Sequence, residues 1–332
     1  MSESTASPVA TTEWPDVDVV MPIRNEAAHL AVAVAAVRSQ EYPGVVRIFL
    51  AVGPSDDGTE RVADELASSG HDLVVVDNSS GITPAGLNVA IRAGSAPVVV
   101  RVDGHSELSD GYIRRAVETM GRTGAVNVGG RQVPTPATPF EEAVAAATTS
   151  WLGTGGATYR VGGKEGPVDT VFLGVFDRAA IEAVGLFDER LIRNQDYELN
   201  IRLRMAGGTV WFDPELSVGY RPRGSWRALA RQYFEYGRWK AVVLQMHPES
   251  ARPRQLAPPL AIGGVVAGLV GGVFCRRLLI VPAIYAMAVM SAGRAVAGPG
   301  AARTSAVLLV IHSTWVAGMA RGITTGTRRA SR

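Results

Sequence analysis

The chain has 332 residues, 33 basic and 31 acidic side chains, a net charge of +2 at pH 7 and one cysteine, Cys275. So even a balance gives no global field that would attract nucleic acid, and a single cysteine excludes an internal disulfide. Lys164 and Lys240 are the only lysines; every other basic residue is arginine.

Met1–Asp16 is polar and lacks the apolar run of a secretory signal, so none is expected. Elements then alternate. Val17–Met21 reads as a strand, Asn25–Ser39 as a helix, Val46–Val52 as a strand and Gly58–Ser69 as a helix. Leu73–Val76 is a third strand. Thr83-Pro84 opens a third helix, with Thr as cap and Pro at the first helical position, that ends near Gly94. Val98–Val102 is a fourth strand. The alternation predicts a doubly wound, mostly parallel α/β sheet. In such sheets ligands sit beyond the carboxyl ends of the strands. Four polar loops meet there: residues 22–26, 53–57, 77–81 and 103–105. Asp103, at the end of a valine-rich strand, is costly to bury unless it is paired or binds something.

No G-x-G-x-x-G follows the first strand, which disfavours a nicotinamide or flavin enzyme, and the G-x-x-x-x-G-K-[ST] loop is absent. Gly153–Gly166 is glycine-rich and reads as a mobile loop or lid. Asp169–Arg178 reads as a strand. Spacing of Leu199 with Leu203 and Ile201 with Met205 predicts a helix to about Ala206, ended by Gly207-Gly208, with Asp196 in its first turn. That position keeps a carboxylate ionised, whether it caps the helix or acts as a base. Residues 225–244 mix aromatics with Arg227, Arg231, Arg238 and Lys240, which suits a membrane interface. Leu256–Phe274 carries no charge, Leu278–Ala297 only Arg294, and Ser305–Ala320 only His312. A span takes roughly 20 apolar residues, so two or three membrane helices are expected. Arginines flank these segments on several sides and leave the topology open. His29, His71, His247 and His312 show no ligand spacing and read as structural or solvated.

"VDVVMPIRNE", "GPSDDGTERVADEL", "GLNVAIRAG", "RVDGH", "GLFDERLIRNQDYELNIRLRMAGG" and "RQYFEYGRWK" together resemble family 2 glycosyltransferases of the GT-A fold over roughly residues 15–245. Within that family the chain is similar to the bacterial succinoglycan-biosynthesis glucosyltransferase group, in which Asp-x-His replaces Asp-x-Asp. The resemblance implies a GT-A domain at 16–245, with a nucleotide half (16–107) and an acceptor half (108–245). A flexible N-terminus (1–15) precedes it; membrane helices within 256–320 and a basic tail (321–332) follow. It implies that Pro22, Arg24, Glu26, Asp57, Asn88 and Asp103 bind the nucleotide sugar. Asp103 and His105 would hold a divalent metal, Mn²⁺ or Mg²⁺, with His105 as metal ligand or direct phosphate partner. Asp196 matches the catalytic base, and Arg238, Trp239 and Asp169 would contact acceptor. Glu235 stands where related enzymes carry Gln in Gln-x-x-Arg-Trp, which argues against processive polymer synthesis.

The implied activity is inverting transfer from a nucleoside-diphosphate sugar, by family analogy a UDP-sugar, to a hydroxyl of a lipid-linked or glycan acceptor. It would act in cell-envelope or exopolysaccharide synthesis, at the cell membrane with the catalytic domain facing the cytoplasm. Alternatives are transfer to polyprenyl phosphate itself, or a non-catalytic membrane-anchored sugar-nucleotide-binding subunit. A sugar nucleotidyltransferase would need a glycine-rich loop after the first strand, which is missing.

Overall fold

The computed structural model describes residues 14–326. Residues 1–13 and 327–332, most of the expected flexible N-terminus and half of the basic tail, lie outside the described residues. Strands β1 (Val17–Ile23), β2 (Val46–Val52), β3 (Leu73–Asp77) and β4 (Val98–Arg101) alternate with helices α1 (Leu30–Arg38), α2 (Thr59–Ser68) and α3 (Thr83–Ala93). Thr83 is the first helical residue and Ile82 the cap, one position from the expected start. β5 (Glu107–Leu108), α4 (Tyr112–Thr123), β6 (Asn127–Pro134) and α5 (Pro139–Thr148) follow. The glycine-rich stretch is not a bare loop: it holds two short helices, α6 (Trp151–Thr154) and α7 (Thr158–Val161), before β7 (Gly166–Pro167). β8 (Phe172–Asp177), α8 (Arg178–Ala183), α9 (Gln195–Met205) and β9 (Val210–Tyr220) complete the α/β unit.

The strands form one sheet in the order β3-β2-β1-β4-β8-β6-β9-β5, with β7 on β9. From β3 to β4 it is parallel. β8 then enters antiparallel between β4 and β6, so the second half is mixed. The order reverses at β1, which lies between β2 and β4, and a crevice opens at their carboxyl ends.

Side chains alternate across the sheet with period two. Val17, Val19, Met21 and Ile23 enter one core with Leu30, Val34, Leu50 and Ile113, beneath α1, α2 and α4. Val20 enters the other with Phe49, Leu87, Ile91, Val99, Phe176 and Leu199, beneath α3 and α9. Burial of β1 on both faces explains its mostly apolar sequence; the interruption, Asp18, is fully buried and accepts from Ala96 N and Arg178 Nη2 at 2.7 Å each.

The remaining chain is helical: α10 (Trp226–Met246), α11 (Pro253–Gly272), α12 (Ile280–Ala297) and α13 (Ala301–Gly326). Two stretches, Pro253–Gly272 and Arg276–Thr325, are long and apolar enough to cross a membrane. α13 is also tied to the α/β unit: Val307, Leu308 and Ile311 bury against Ala143 and Ala147 of α5 and Leu229 and Tyr233 of α10. α12 joins the same cluster through Val289, with Tyr285 and Ala292 against it, but the rest of the α11–α12 hairpin is less covered, and Leu260, Val273, Phe274 and Ile280 are exposed.

Candidate active site

Four loops close over the carboxyl ends of β1–β4, and their backbones interlock. Asn25 N donates to Ser55 Oγ (3.1 Å), Glu26 N to Thr59 Oγ1 (2.9 Å) and Ala27 N to Asp57 Oδ2 (3.1 Å). Arg24 Nε donates to Pro54 O (3.2 Å) and its Nη1 to Gly81 O (3.5 Å), joining three loops. Gly104 allows the fourth loop to come close: a Cβ there would stand 2.9 Å from Ile23 Cδ1 and 3.0 Å from Glu26 Cγ.

Arg101 organises the centre. It ends β4 and is 4% exposed. Its Nε and Nη2 donate to Asp103 Oδ1 (3.1 and 2.9 Å), and its Nη1 donates to Asp196 Oδ1. One guanidinium therefore joins two carboxylates 93 residues apart in the chain, one from each half of the domain. Asp196 stands in the first turn of α9, after Asn194, whose φ of +63° turns the chain sharply. Asparagine is among the few residues that adopt this conformation readily.

The two carboxyl groups are tuned in opposite directions. Burial would raise Asp103, but Arg101, then His105 and Arg193, hold it below the usual carboxylate range. Burial lifts Asp196 above its ordinary value; Asp103 adds to this while Arg101 opposes it. A carboxylate with a raised pKa is a stronger base when ionised, and the neighbouring guanidinium favours the ionised form.

His105 Nδ1 lies 2.7 Å from Glu26 Oε1. This contact raises the imidazole pKa, against the effect of burial and with help from Asp103. A carboxylate on one ring nitrogen is the usual support for a histidine that ligates metal through the other. His105 Nε2 and Asp103 Oδ2 have no hydrogen bond from another described residue. These two atoms fit a divalent cation, although no group of three His, Cys, Asp or Glu side chains converges among the described residues. Further ligands would have to come from substrate or water.

Pro22 lies within β1, and Arg24, Glu26, Asp103, His105 and Asp196 form one linked cluster at the carboxyl ends of the strands. Asp57 adjoins it, but both its oxygens serve the loops: Oδ1 accepts from Thr59 N (3.0 Å) and Thr59 Oγ1, and Oδ2 from Ala27 N. Asn88 is 2% exposed, and its amide donates to Phe187 O (2.9 Å) and Glu189 Oε1 (2.8 Å) while accepting from Phe187 N (3.0 Å), which braces the loop before α9. Trp239 is 4% exposed, packed with Leu191, Ile201 and Val243, and its Nε1 donates to Glu235 Oε2 (3.1 Å). Arg238 lies over that ring, 5.5 Å from its centre, and 3.6 Å from Glu235. The Asp169 carboxylate accepts from Arg252 (2.8 Å) and Arg254 (3.3 Å). Arg101 itself was missed; a cation two residues before a strand-end carboxylate is the signal that pointed to it.

The sequence profile described as Glycosyl transferase family 2 matches residues 18–185. Succinoglycan biosynthesis protein ExoA of Rhizobium meliloti (strain 1021) is 31% identical over 325 residues, 94% of this chain and 96% of that protein. The chain is a family 2 glycosyltransferase. Glycosyltransferase AglE of Haloferax volcanii is 25% identical over 244 residues, covering 73% of this chain and 78% of AglE. In fold, this glycosyltransferase is similar to the mannosyltransferase PcManGT of Pyrobaculum calidifontis, solved with GDP-Man and Mn²⁺. The TM-score is 0.61 at 18% identity, over 94% of this chain and 88% of that one. The GT-A fold read from the sequence is therefore the fold of this chain.

Proposed function

We propose that this glycosyltransferase moves a sugar, with inversion, from a nucleoside-diphosphate donor to a hydroxyl of a lipid-linked or glycan acceptor. The donor is a UDP-sugar, and the product serves exopolysaccharide or cell-envelope synthesis. The reaction takes place at the membrane, with the α/β unit on the cytoplasmic side. The observation that carries this reading is Arg101 between Asp103 and Asp196. It sets a raised carboxylate from the acceptor half beside the strand end that borders the donor crevice.

In a single displacement, Asp196 takes the acceptor hydroxyl proton as that oxygen bonds to the anomeric carbon. The bond from that carbon to the β-phosphate oxygen breaks, and the electron pair leaves with the nucleoside diphosphate. Arg193 and Arg223, whose positive fields reach Asp103 and His105, offset the growing charge. A divalent cation on Asp103 and His105 would add charge neutralisation at the diphosphate.

The test is a panel of UDP- and GDP-sugars with the detergent-solubilised chain, in Mn²⁺, Mg²⁺ or EDTA, with and without native lipid extract. Lipid-dependent nucleotide release that disappears in Asp196→Asn is the expected result. An Asp196→Asn variant that keeps substantial activity would refute transfer to a hydroxyl. Nucleotide binding without turnover on any extract would refute catalysis.

A further inference from the structure

Helix α9 has a second face. Tyr197, Asn200 and Arg204 recur along it at intervals of three and four residues. Tyr197 Oη donates to Ser250 O (3.2 Å) and accepts from Gln255 (3.3 Å), while Asn200 donates to Thr170 Oγ1 (2.9 Å). This face therefore meets the start of α11 and the strand-like segment that carries Asp169.

Cations collect there in excess. Arg252, Arg254 and Arg204 all reach Asp169, at 2.8, 3.3 and 3.7 Å. One carboxylate cannot neutralise three guanidiniums. The Nε of Arg204 is buried and has no hydrogen-bond partner. Lys240 is nearby, its Nζ 3.1 Å from the centre of the Tyr197 ring, against an aromatic face. Burial, then the charge of Arg254, push this lysine down to about 7, against the pull of Asp169. A cavity of about 440 Å³ opens beside the cluster, lined by Thr158, Tyr159, Asp169, Thr170 and Arg254. Arg254 is the cation of this cluster that lines the cavity, and a buried donor without a partner and surplus positive charge beside it describe a site that lacks its anion.

We propose that this cavity holds the phosphate or diphosphate that joins the acceptor glycan to its lipid. The proposal rests on the lipid-linked acceptor proposed above and adds where its anionic link is held. Arg252 and Arg254 immediately precede and open α11, the first helix of the exposed apolar hairpin. An anion bound there has a lipid tail's path along α11 and α12 on one side. On the other, Asp196 is eight residues back along α9, about 12 Å at 1.5 Å per residue. In the proposed reaction the attacked hydroxyl belongs to a sugar that lies between the anion and Asp196.

Direct binding to the detergent-solubilised full chain tests the idea, with farnesyl diphosphate as the prenyl probe and inorganic pyrophosphate as the free anion. Both probes should bind the parent, and affinity should fall at least tenfold in Arg204→Gln and in Arg254→Gln. Arg254→Lys should recover part of the loss. Arg254 is at the surface end of its helix, so its variants fold even where Arg204→Gln does not. Tighter binding of farnesyl diphosphate than of pyrophosphate identifies a lipid headgroup as the ligand; equal binding identifies the free anion as sufficient. Arg254→Gln affinity within twofold of the parent would overturn the site. Absence of sugar transfer with diphosphate binding intact would refute the proposed activity but leave the site standing. Transfer with diphosphate binding indifferent to the arginines would do the reverse.

Discussion

Arg101→Met is the sharpest perturbation of the catalytic reading. Methionine keeps the length and apolar stem of the side chain but deletes the cation that touches both Asp103 and Asp196. The two carboxylates then face each other with like charge, and one must take up a proton. Removing one partner of a buried ion pair costs about 3–5 kcal/mol. The two carboxylates keep 23% and 31% exposure, so the low end, about 3 kcal/mol, applies here. Arg101 is what opposes the upward shift of Asp196, so the variant's base titrates still higher. The base must be ionised to accept a proton. The acid limb of kcat/KM therefore moves to higher pH, and activity near pH 7 falls roughly 100-fold, the lower bound for loss of general-base assistance. Raising the pH should restore part of it, which misfolding would not do. The assay is a pH profile of nucleotide release for parent, Arg101→Met and Arg101→Lys, with thermal unfolding of each. An acid limb that does not move, or an Arg101→Met rate within threefold of the parent at every pH, refutes the electrostatic role.

Trp239→Phe should lower stability by about 1–3 kcal/mol, from lost packing and the lost bond to Glu235. The acceptor KM should stay within threefold, and a large rise in it would return Trp239 to the acceptor site. A Cβ on Gly318 would overlap Phe234 O, and one on Gly237 would overlap Trp315 O, because α10 and α13 touch through their backbones. Gly318→Ala should therefore cost about 3 kcal/mol or more in detergent melts, and an unchanged melt would contradict the close packing. Lys240 titrates near 7 in the folded chain but near 10.4 when unfolded. Between those values the unfolded chain holds the extra proton, so stability rises with pH. Melting midpoints from about pH 7 to about pH 9.5 should climb, less steeply in Lys240→Met; equal slopes would show that the lysine is not desolvated.

The first four strands were legible because each is a short, mostly apolar run ending in a polar loop; β1 and β4, buried on both faces, must read that way, while β3 is an edge strand whose Val74 and Val75 stay exposed. Asp103 was legible for the same reason: it interrupts such a run at its end. Asp196 could be assigned to a helix start from periodicity, but its meeting with Asp103 depends on Arg101, across 95 residues, and no local pattern carries that. The surroundings of Asn88 are hidden from the sequence for a related reason. A polar residue inside an apolar helix can face ligand or brace a loop, and here the partners that decide it, Phe187 and Glu189, lie about 100 residues away. β8 was visible as a strand, but its antiparallel entry between β4 and β6 follows from pairing, which single-strand patterning leaves open.

The C-terminal segments show a limit of a different kind. Hydropathy gave three similar apolar runs, yet they do not have equal surroundings. A helix buries apolar side chains equally well against lipid or protein, so composition alone does not separate the two. Small residues do carry some of that information. Gly318 and Gly322 lie on one face of α13, where backbone can approach backbone, and they meet Phe234 and Arg238 of α10. Leu260, Val266 and Phe274 of the α11–α12 hairpin have no such partner and stay exposed. The hairpin is therefore the part of the chain with apolar surface left to bury, while α13 fastens it to the domain that holds Asp196. Because α11 begins at the arginines around Asp169, which Arg204 of α9 also reaches, the hairpin is anchored at the second face of α9.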